Sequence, residues 1–162
     1  MNKESAKGVI TMNIEKFTDK MKEAISNASQ LALEYKNQVI DIEHILYVLL
    51  EDSSGIFCRV LSKLNIDVKQ LQNQLLLRIK EKPQVTNIDV NSIRISYGLN
   101  DLLSKAMNQM SQFKDEYVSV EHLIMALFDI NEPWLKDLLN QYHINKKDVK
   151  KAILEMRGDH MV

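Results

Sequence analysis

VSVEHLIMAL, at residues 118–127, and IDIEHILYVL, at residues 40–49, are two versions of one ten-residue stretch. In each version a capping residue precedes a β-branched residue, then Glu-His, then an apolar run. The two histidines, His44 and His122, lie 78 positions apart, and at this offset residues 17–79 align with residues 95–157 without a gap. The sequence therefore predicts a duplicated unit, with the Glu-His stretch at the same place in each copy.

Each copy also carries four helical patterns, in which apolar residues recur at spacings of three and four, and six of the eight patterns follow a capping residue. The central helix, which begins at the Glu-His stretch, is apolar on nearly all sides and is expected to be buried. Each copy alone is close to the size at which a core becomes marginal. The expected fold class is therefore all-α, with eight helices as two pseudo-twofold-related four-helix repeats packed into one compact domain. The predicted helix caps are Thr18, Asp41, Asp67, Ser96, Ser119 and Asn145.

Composition supports this fold and excludes several functions. The 162 residues are 45% hydrophobic, with four glycines and two prolines, as suits helices. The formal net charge of −1 argues against a nucleic-acid partner. No apolar run has the length of a membrane span and the first residues are no secretory signal, so neither a membrane nor export is expected. A single cysteine rules out a disulfide framework, and a cytoplasmic location fits best.

The repeat pattern also predicts how the chain is divided. Residues 1–13 are expected to be a flexible N-terminal extension, and residues 14–82 the first repeat. Residues 83–94 mix Pro, Thr, Asn, Asp and Ser with isolated apolar residues, which is typical of a connector. Residues 95–158 are the second repeat, and residues 159–162 are expected to begin a linker.

The sequence carries no recognisable catalytic motif. The glycines form no phosphate-binding loop, and Cys58 has no obvious histidine partner, so no catalytic residues are predicted. The Glu-His pairs raise the possibility of a metal site, but adjacent helical residues point about 100° apart and one pair chelates poorly. Two pairs meeting across the pseudo-twofold are the alternative. The favoured interpretation is that each histidine bonds the neighbouring turn and positions the helix start, with no metal bound; His143 and His160 have no useful spacing.

Glu43 and Glu121 have two interpretations. Each lies in the first turn of a buried helix, where the helix dipole and unpaired amides favour a carboxylate. Alternatively, each lies near the hydroxyl that caps the first helix of its own repeat, Thr18 near Glu43 and Ser96 near Glu121. A hydroxyl beside a carboxylate can hold a guanidinium or an amide. Spacing alone leaves both interpretations open.

Several stretches together resemble the amino-terminal domain of the Clp/Hsp100 AAA+ ATPases. They are FTDK at 17–20, both Glu-His helices, and KDEYVSVEHL at 114–123. The resemblance runs from residue 14 to about residue 158. PQV at 83–85 and MRG at 156–158 are most like the disaggregase branch, ClpB, with the protease-partner branch, ClpC, as the nearest competitor. The resemblance identifies the repeats as Clp repeats.

The resemblance implies a substrate- and adaptor-recognition domain that captures unfolded or aggregated polypeptides for threading by the AAA+ ring of a disaggregase. The alternatives are a ClpC-like domain that binds adaptors or phosphoarginine-marked proteins for proteolysis, and a free-standing adaptor of the same fold. The family places binding at Thr18, Asp115 and Glu121. The ClpC branch adds paired sites, which here correspond to Thr18 with Glu43 and Ser96 with Glu121.

The resemblance also sets expectations for the assembly. ATPase modules would lie beyond residue 162, so this part of the chain is expected to have no enzymatic activity and no cofactor. ATP and magnesium would bind the full-length ring. Unfolded or aggregated client proteins, and possible adaptor proteins, are the expected partners. The isolated domain is expected to be a monomer, and the full-length protein a homohexamer.

Overall fold

A computed structural model describes residues 14–158 of the chain. This range forms eight α-helices: α1 (Asp19–Glu34), α2 (Ile42–Glu51), α3 (Ile56–Lys63), α4 (Val68–Glu81), α5 (Tyr97–Gln112), α6 (Val120–Ala126), α7 (Pro133–Gln141) and α8 (Lys146–Arg157). It also contains two 3-10 turns, Ile14–Lys16 and Val90–Ser92, and two strands of two residues, β1 (Val39–Ile40) and β2 (Arg94–Ile95). The predicted all-α fold of two four-helix repeats is confirmed, whereas the two short strands were not predicted.

Some predictions fall outside this range or stay predictions. The flexible extension at residues 1–13, the linker at residues 159–162 and His160 lie outside the described residues. The limits of the two repeats, 14–82 and 95–158, and of the connector, 83–94, stay predictions as domain boundaries.

The predicted caps hold the helix starts. The hydroxyl of Thr18 accepts a hydrogen bond from the Met21 amide at 3.2 Å, and that of Ser96 from the Leu99 amide at 3.0 Å. Each bond satisfies one of the amides that a helix start leaves without an intrahelical partner. Asp67 and Asn145 cap α4 and α8 in the same way.

The backbone repeats at the predicted offset, even where it is strained. Lys36 after α1 and Lys114 after α5 adopt left-handed φ angles of 57° and 59°. Asn65 after α3 and His143 after α7 do the same, at 60° and 57°. Left-handed backbone is uncommon for residues other than glycine. Its recurrence at equivalent positions shows that the two repeats follow the same chain path.

Short parallel pairings connect each repeat to the other. Ile40 of β1 lies opposite Ile95 of β2, and Phe17 forms a matching bridge with Val118. These two pairings are related by the 78-residue offset, because Phe17 corresponds to Ile95 and Val118 to Ile40. The start of α1 therefore lies beside the start of α6, and the start of α5 beside the start of α2.

The helices enclose one core. In the first repeat α2 packs against α1 and α4, and in the second α6 packs against α5 and α8. The repeats meet where α2 contacts α5 and where α3 contacts α6 and α8. One cluster of buried apolar side chains runs through both repeats, and each fully buried Leu or Ile contributes about 1.5–3 kcal/mol. Within the described residues, none of the helices combines the length and the apolar character that crossing a membrane requires.

Candidate functional site

The histidine of each Glu-His turn accepts a backbone hydrogen bond at the start of its helix. Nδ1 of His44 accepts a hydrogen bond from the Asp41 amide at 2.8 Å, and Nδ1 of His122 accepts one from the Ser119 amide at 2.8 Å. Each histidine thus takes the place that Glu or Gln has in an ordinary capping box. The predicted role of both histidines in positioning the helix start is confirmed.

The second ring nitrogen of each histidine bonds the turn that follows the first helix of its repeat. Nε2 of His44 lies 2.9 Å from Oδ1 of Asn37, and Nε2 of His122 lies 2.7 Å from Oδ2 of Asp115. Because Nδ1 accepts from a backbone amide, the proton of the neutral ring is on Nε2. Burial, aided by the charge of Lys82, lowers the pKa of His44 to about 4. Burial also lowers the pKa of His122, although Asp115 opposes it.

Glu43 is enclosed by groups of its own chain. Its side chain is 1% exposed and forms ion pairs with Nε of Arg78 at 3.0 Å and Nζ of Lys82 at 3.2 Å. Both cations come from the end of α4 and its C-cap. The guanidinium of Arg78 also lies over the ring of Trp134 in α7, 4.1 Å from the ring centroid. We call this cluster of Glu43, Arg78, Lys82 and Trp134 the closed site.

The predicted pairing of hydroxyls and glutamates is wrong. Ser96 does not lie beside Glu121; its hydroxyl donates to Oδ1 of Asp41 at 2.7 Å, next to Glu43. Thr18 instead lines the groove that contains Glu121 and does not contain Glu43. The cause is the parallel pairing, which joins the start of each first helix to the central helix of the other repeat. Burial raises the pKa of Asp41, but Lys82 and the Ser96 hydroxyl outweigh it and hold that pKa below its usual value.

An open groove lies beside Glu121. It has a volume of about 390 Å³ and runs between the first half of α1, the end of α2, the start of α3 and the first turn of α6. Its apolar surface comes from Ala24, Val48, Leu49, Ile56, Phe57 and Val120. Its polar edge comes from Thr18, Lys20, Glu23, Asn27, Asp52, Ser54, Arg59, Ser119 and Glu121. Both repeats contribute, and we call this feature the open groove.

Glu121 is held less tightly than Glu43. Its side chain is 17% exposed, and its Oε2 lies 3.5 Å from an amino group of Arg157. Burial raises the pKa of Glu121; Arg157 and Arg59 oppose this effect and Asp115 adds to it. A partly exposed carboxylate with one long ion pair can accept further donors from a ligand in the groove.

Asp115 does not line the open groove. Its side chain is buried, and its Oδ1 accepts a hydrogen bond from Arg157 at 2.7 Å while Oδ2 faces His122. Arg157 also packs over the ring of Phe113. Asp115 and Glu121 both contact Arg157, so this arginine connects Asp115 to a residue of the groove. The prediction that Thr18, Glu43, Ser96, Asp115 and Glu121 contact a substrate stays a prediction, and the structure places only Thr18 and Glu121 of these five in one groove.

The cations of both sites were not predicted from the sequence. Arg78, Lys82 and Arg157 lie at helix ends, where basic residues interact favourably with the helix dipole, and their sequence positions do not reveal a carboxylate partner. Arg59 lies on α3 and belongs to no recognisable sequence motif.

Among residues 14–158 no group of three or more His, Cys, Asp or Glu is placed to hold a metal ion. Cys58 is buried and burial raises the pKa of its thiol.

Comparison with known proteins finds a family whose model matches most of the chain. Residues 16–142 match the model of the Clp repeat (R) N-terminal domain. Chaperone protein ClpB of Bacillus anthracis is 31% identical over 153 residues, which is 93% of this chain and 18% of that protein. The chain thus spans less than a fifth of the length of this relative.

Two solved structures share the fold. The Hsp104 N-terminal domain from Candida albicans has a TM-score of 0.76 at 22% identity and covers 90% of this chain and 94% of its own. A ClpV N-domain in complex with a VipB peptide has a TM-score of 0.71 at 23% identity and covers 87% of this chain and 86% of its own.

Proposed function

The chain belongs to the Clp repeat N-terminal domain family of the Clp/Hsp100 chaperones, and on that basis we propose that it is the client-recognition domain of a ClpB-like disaggregase. In this role it captures unfolded or aggregated polypeptides and delivers them to an AAA+ ring for threading. Sequence identity of 31% to a ClpB supports the disaggregase branch.

The open groove is the observation that carries the proposal. Its apolar residues, from α1, α2, α3 and α6, are surrounded by carboxylates, cations and amides within one cavity of about 390 Å³. An unfolded segment offers the matching chemistry, since it exposes apolar side chains together with backbone amides and carbonyls that need partners. Thr18 and Glu121 lie where they can accept hydrogen bonds from such a segment.

Adaptor binding is the second candidate function. The fold relative ClpV was solved with a VipB peptide at its N-domain, so a segment presented by a specific protein is an alternative occupant of the groove. A ClpC-like preference for phosphoarginine-marked proteins is a variant of this candidate. Each of these ligands is a polypeptide, and they differ in what the groove must recognise.

A nuclear magnetic resonance titration tests the proposal. The 15N-labelled 162-residue chain is titrated with reduced, carboxymethylated α-lactalbumin, which stays unfolded. We expect amide shifts to cluster at Thr18, Val48, Phe57 and Glu121. Shifts distributed elsewhere would contradict the groove as the client site, and saturation by free phosphoarginine at the same residues would favour the ClpC-like alternative.

A pair of surface variants gives the matched control. Ile56→Ser removes apolar surface from the open groove, whereas Leu77→Ser removes it from an exposed position on α4. Only Ile56→Ser should weaken the interaction, by about tenfold if one buried aliphatic side chain is lost. Equal weakening by both variants would indicate non-specific adhesion.

The remaining parts of the proposal concern the larger assembly. We propose that this domain binds no nucleotide and is monomeric alone, that it is cytoplasmic, and that ATP and magnesium bind a homohexameric ring elsewhere in the full-length protein. A titration with magnesium-ATP should then leave the amide spectrum unchanged, and sedimentation should give the mass of one chain.

A further inference from the structure

The pseudo-twofold axis gives the open groove a counterpart at Glu43. The 78-residue offset relates Thr18 to Ser96, Glu121 to Glu43, and the start of α3 to the start of α7. Ile56, at the edge of the open groove, corresponds to Trp134. The two places therefore occupy equivalent positions in the two repeats, although α6 ends at Ala126 while α2 continues to Glu51, the equivalent of residue 129.

The place at Glu43 is narrower than the open groove, because neighbouring side chains lie against the start of α5. Gly98, near the start of α5, corresponds to Lys20, which lines the open groove. A Cβ atom at Gly98 would lie 2.6 Å from Oε1 of Glu132 and 3.2 Å from Cδ1 of Ile42. The side chain of Glu132, the N-cap residue of α7, thus lies against the start of α5, and a side chain at position 98 would have to displace it.

Arg78 occupies what remains of the counterpart. Its Nε bonds Glu43 at 3.0 Å and its guanidinium covers the face of Trp134 at 4.1 Å. A carboxylate together with an aromatic face is the environment in which proteins bind guanidinium ligands. Arg78 therefore contacts this place as a bound ligand would, but from within the chain.

We infer that the closed site is a second copy of the binding groove, filled by Arg78, and that the domain consequently offers clients one groove instead of two. That the ligands of the open groove are client proteins rests on the proposed function. The filling of the site by Arg78 is independent of what the open groove binds. Removing the Arg78 side chain should expose a place that takes a small guanidinium ion.

Trp134 provides the test, because it is the single tryptophan of the sequence and lies under Arg78. Its fluorescence is followed while ethylguanidinium chloride is added below denaturing concentrations, with sodium chloride as the ionic control. In Arg78→Ala the ion can reach the Trp134 face and Oε1 of Glu43, which has no hydrogen-bond partner among the described residues. We expect saturable binding at about tenfold lower concentration than in the wild type, as one charge-assisted hydrogen bond provides.

The matched control is Arg59→Ala, which removes an arginine from the open groove and leaves Trp134 covered. Its fluorescence response should equal that of the wild type. A wild type that binds the ion as well as Arg78→Ala, or an Arg78→Ala variant that shows no saturable response, would overturn the inference.

A measurement on the unaltered chain covers the case in which Arg78→Ala does not fold. During titration with carboxymethylated α-lactalbumin, the indole N–H of Trp134 and the amides of Ser96 and Gly98 should not shift, while those of Thr18 and Glu121 do. Shifts at both places would contradict a single groove. Shifts at neither would contradict the proposed function, and the guanidinium experiment would still decide whether Arg78 fills the closed site.

Discussion

Glu43 and Glu121 occupy the same position of a repeated helix but have different surroundings. Both lie in the first turn of a buried helix and both are followed by the capping histidine. Glu43 has two close cations and almost no exposure, whereas Glu121 has one ion pair at 3.5 Å and faces the open groove. The position within the repeat accounts for the shared carboxylate, and the surrounding side chains account for the difference.

The first prediction compares Glu43→Ala with Glu121→Ala. Glu43→Ala should lower the free energy of unfolding by about 1.5–3 kcal/mol, because it removes hydrogen bonds to charged groups in a buried place. Glu121→Ala should change it by only about 0.5 kcal/mol, as expected of a long and partly exposed ion pair, while weakening client binding about tenfold. Urea unfolding and the α-lactalbumin titration provide the two measurements. If Glu121→Ala unfolds the domain instead, the carboxylate is structural in both repeats.

The second prediction concerns pH and the buried histidines. The pKa of His44 is about 4 in the folded chain and about 6.5 when exposed, so the unfolded state binds the extra proton more readily. The free energy of unfolding should therefore be unaffected by His44 above pH 6.5 and fall as the pH drops towards 4, by up to about 1.4 kcal/mol per pH unit. His122 acts in the same direction.

His44→Gln isolates this effect. Glutamine is an ordinary capping-box residue that does not titrate, so it retains an acceptor for the Asp41 amide. The variant should show a shallower loss of stability between pH 6.5 and 4 in urea unfolding experiments. Equal slopes for the variant and the wild type would show that His44 is not the titrating group.

Among the helices, local contacts such as caps could be predicted from the sequence, but the partners of long-range contacts could not. Thr18, Asp67, Ser96 and Asn145 were identified as caps because a cap acts on amides two or three residues away. The partner of Ser96 was not identifiable, since Asp41 is 55 residues distant in sequence. Arg78, Lys82 and Arg157 are long side chains whose partners depend on how helices pack, which the spacing of residues along one helix does not contain.

A third prediction follows from the left-handed residues that end α1 and α5. Lys36→Gly and Lys114→Gly should each raise the free energy of unfolding by about 0.5–1 kcal/mol, because glycine adopts positive φ without the Cβ clash. Both lysines are exposed, so little packing is lost. The control is Lys22→Gly, at an exposed position inside α1, which should lower the free energy by about 1 kcal/mol. Destabilisation by all three variants would show that the positive φ angles carry no strain.

At the scale of the whole molecule, the two repeats are joined in a way that gives the domain its groove. Each parallel pairing takes one segment from each repeat, and the apolar core continues through both. The open groove is assembled from α1, α2 and α3 of the first repeat and α6 of the second, so neither repeat contains it alone. Duplication could be predicted from the 78-residue offset, but the exchange of partners between repeats could not, because either arrangement satisfies the same pattern of apolar residues.

The last prediction is that the repeats unfold together. Ile25 lies in the core contributed by α1, and Ile25→Ala should lower the free energy of unfolding by about 2–4 kcal/mol. Trp134 lies in the second repeat, so its fluorescence reports on a different part of the molecule from the substituted one. Because the core is continuous, the urea midpoints from Trp134 fluorescence and from far-ultraviolet circular dichroism should coincide in the wild type and shift equally in the variant. A variant in which the dichroism midpoint moves while the fluorescence midpoint stays would mean that each repeat is its own folding unit, and the open groove would then open and close with the contact between them.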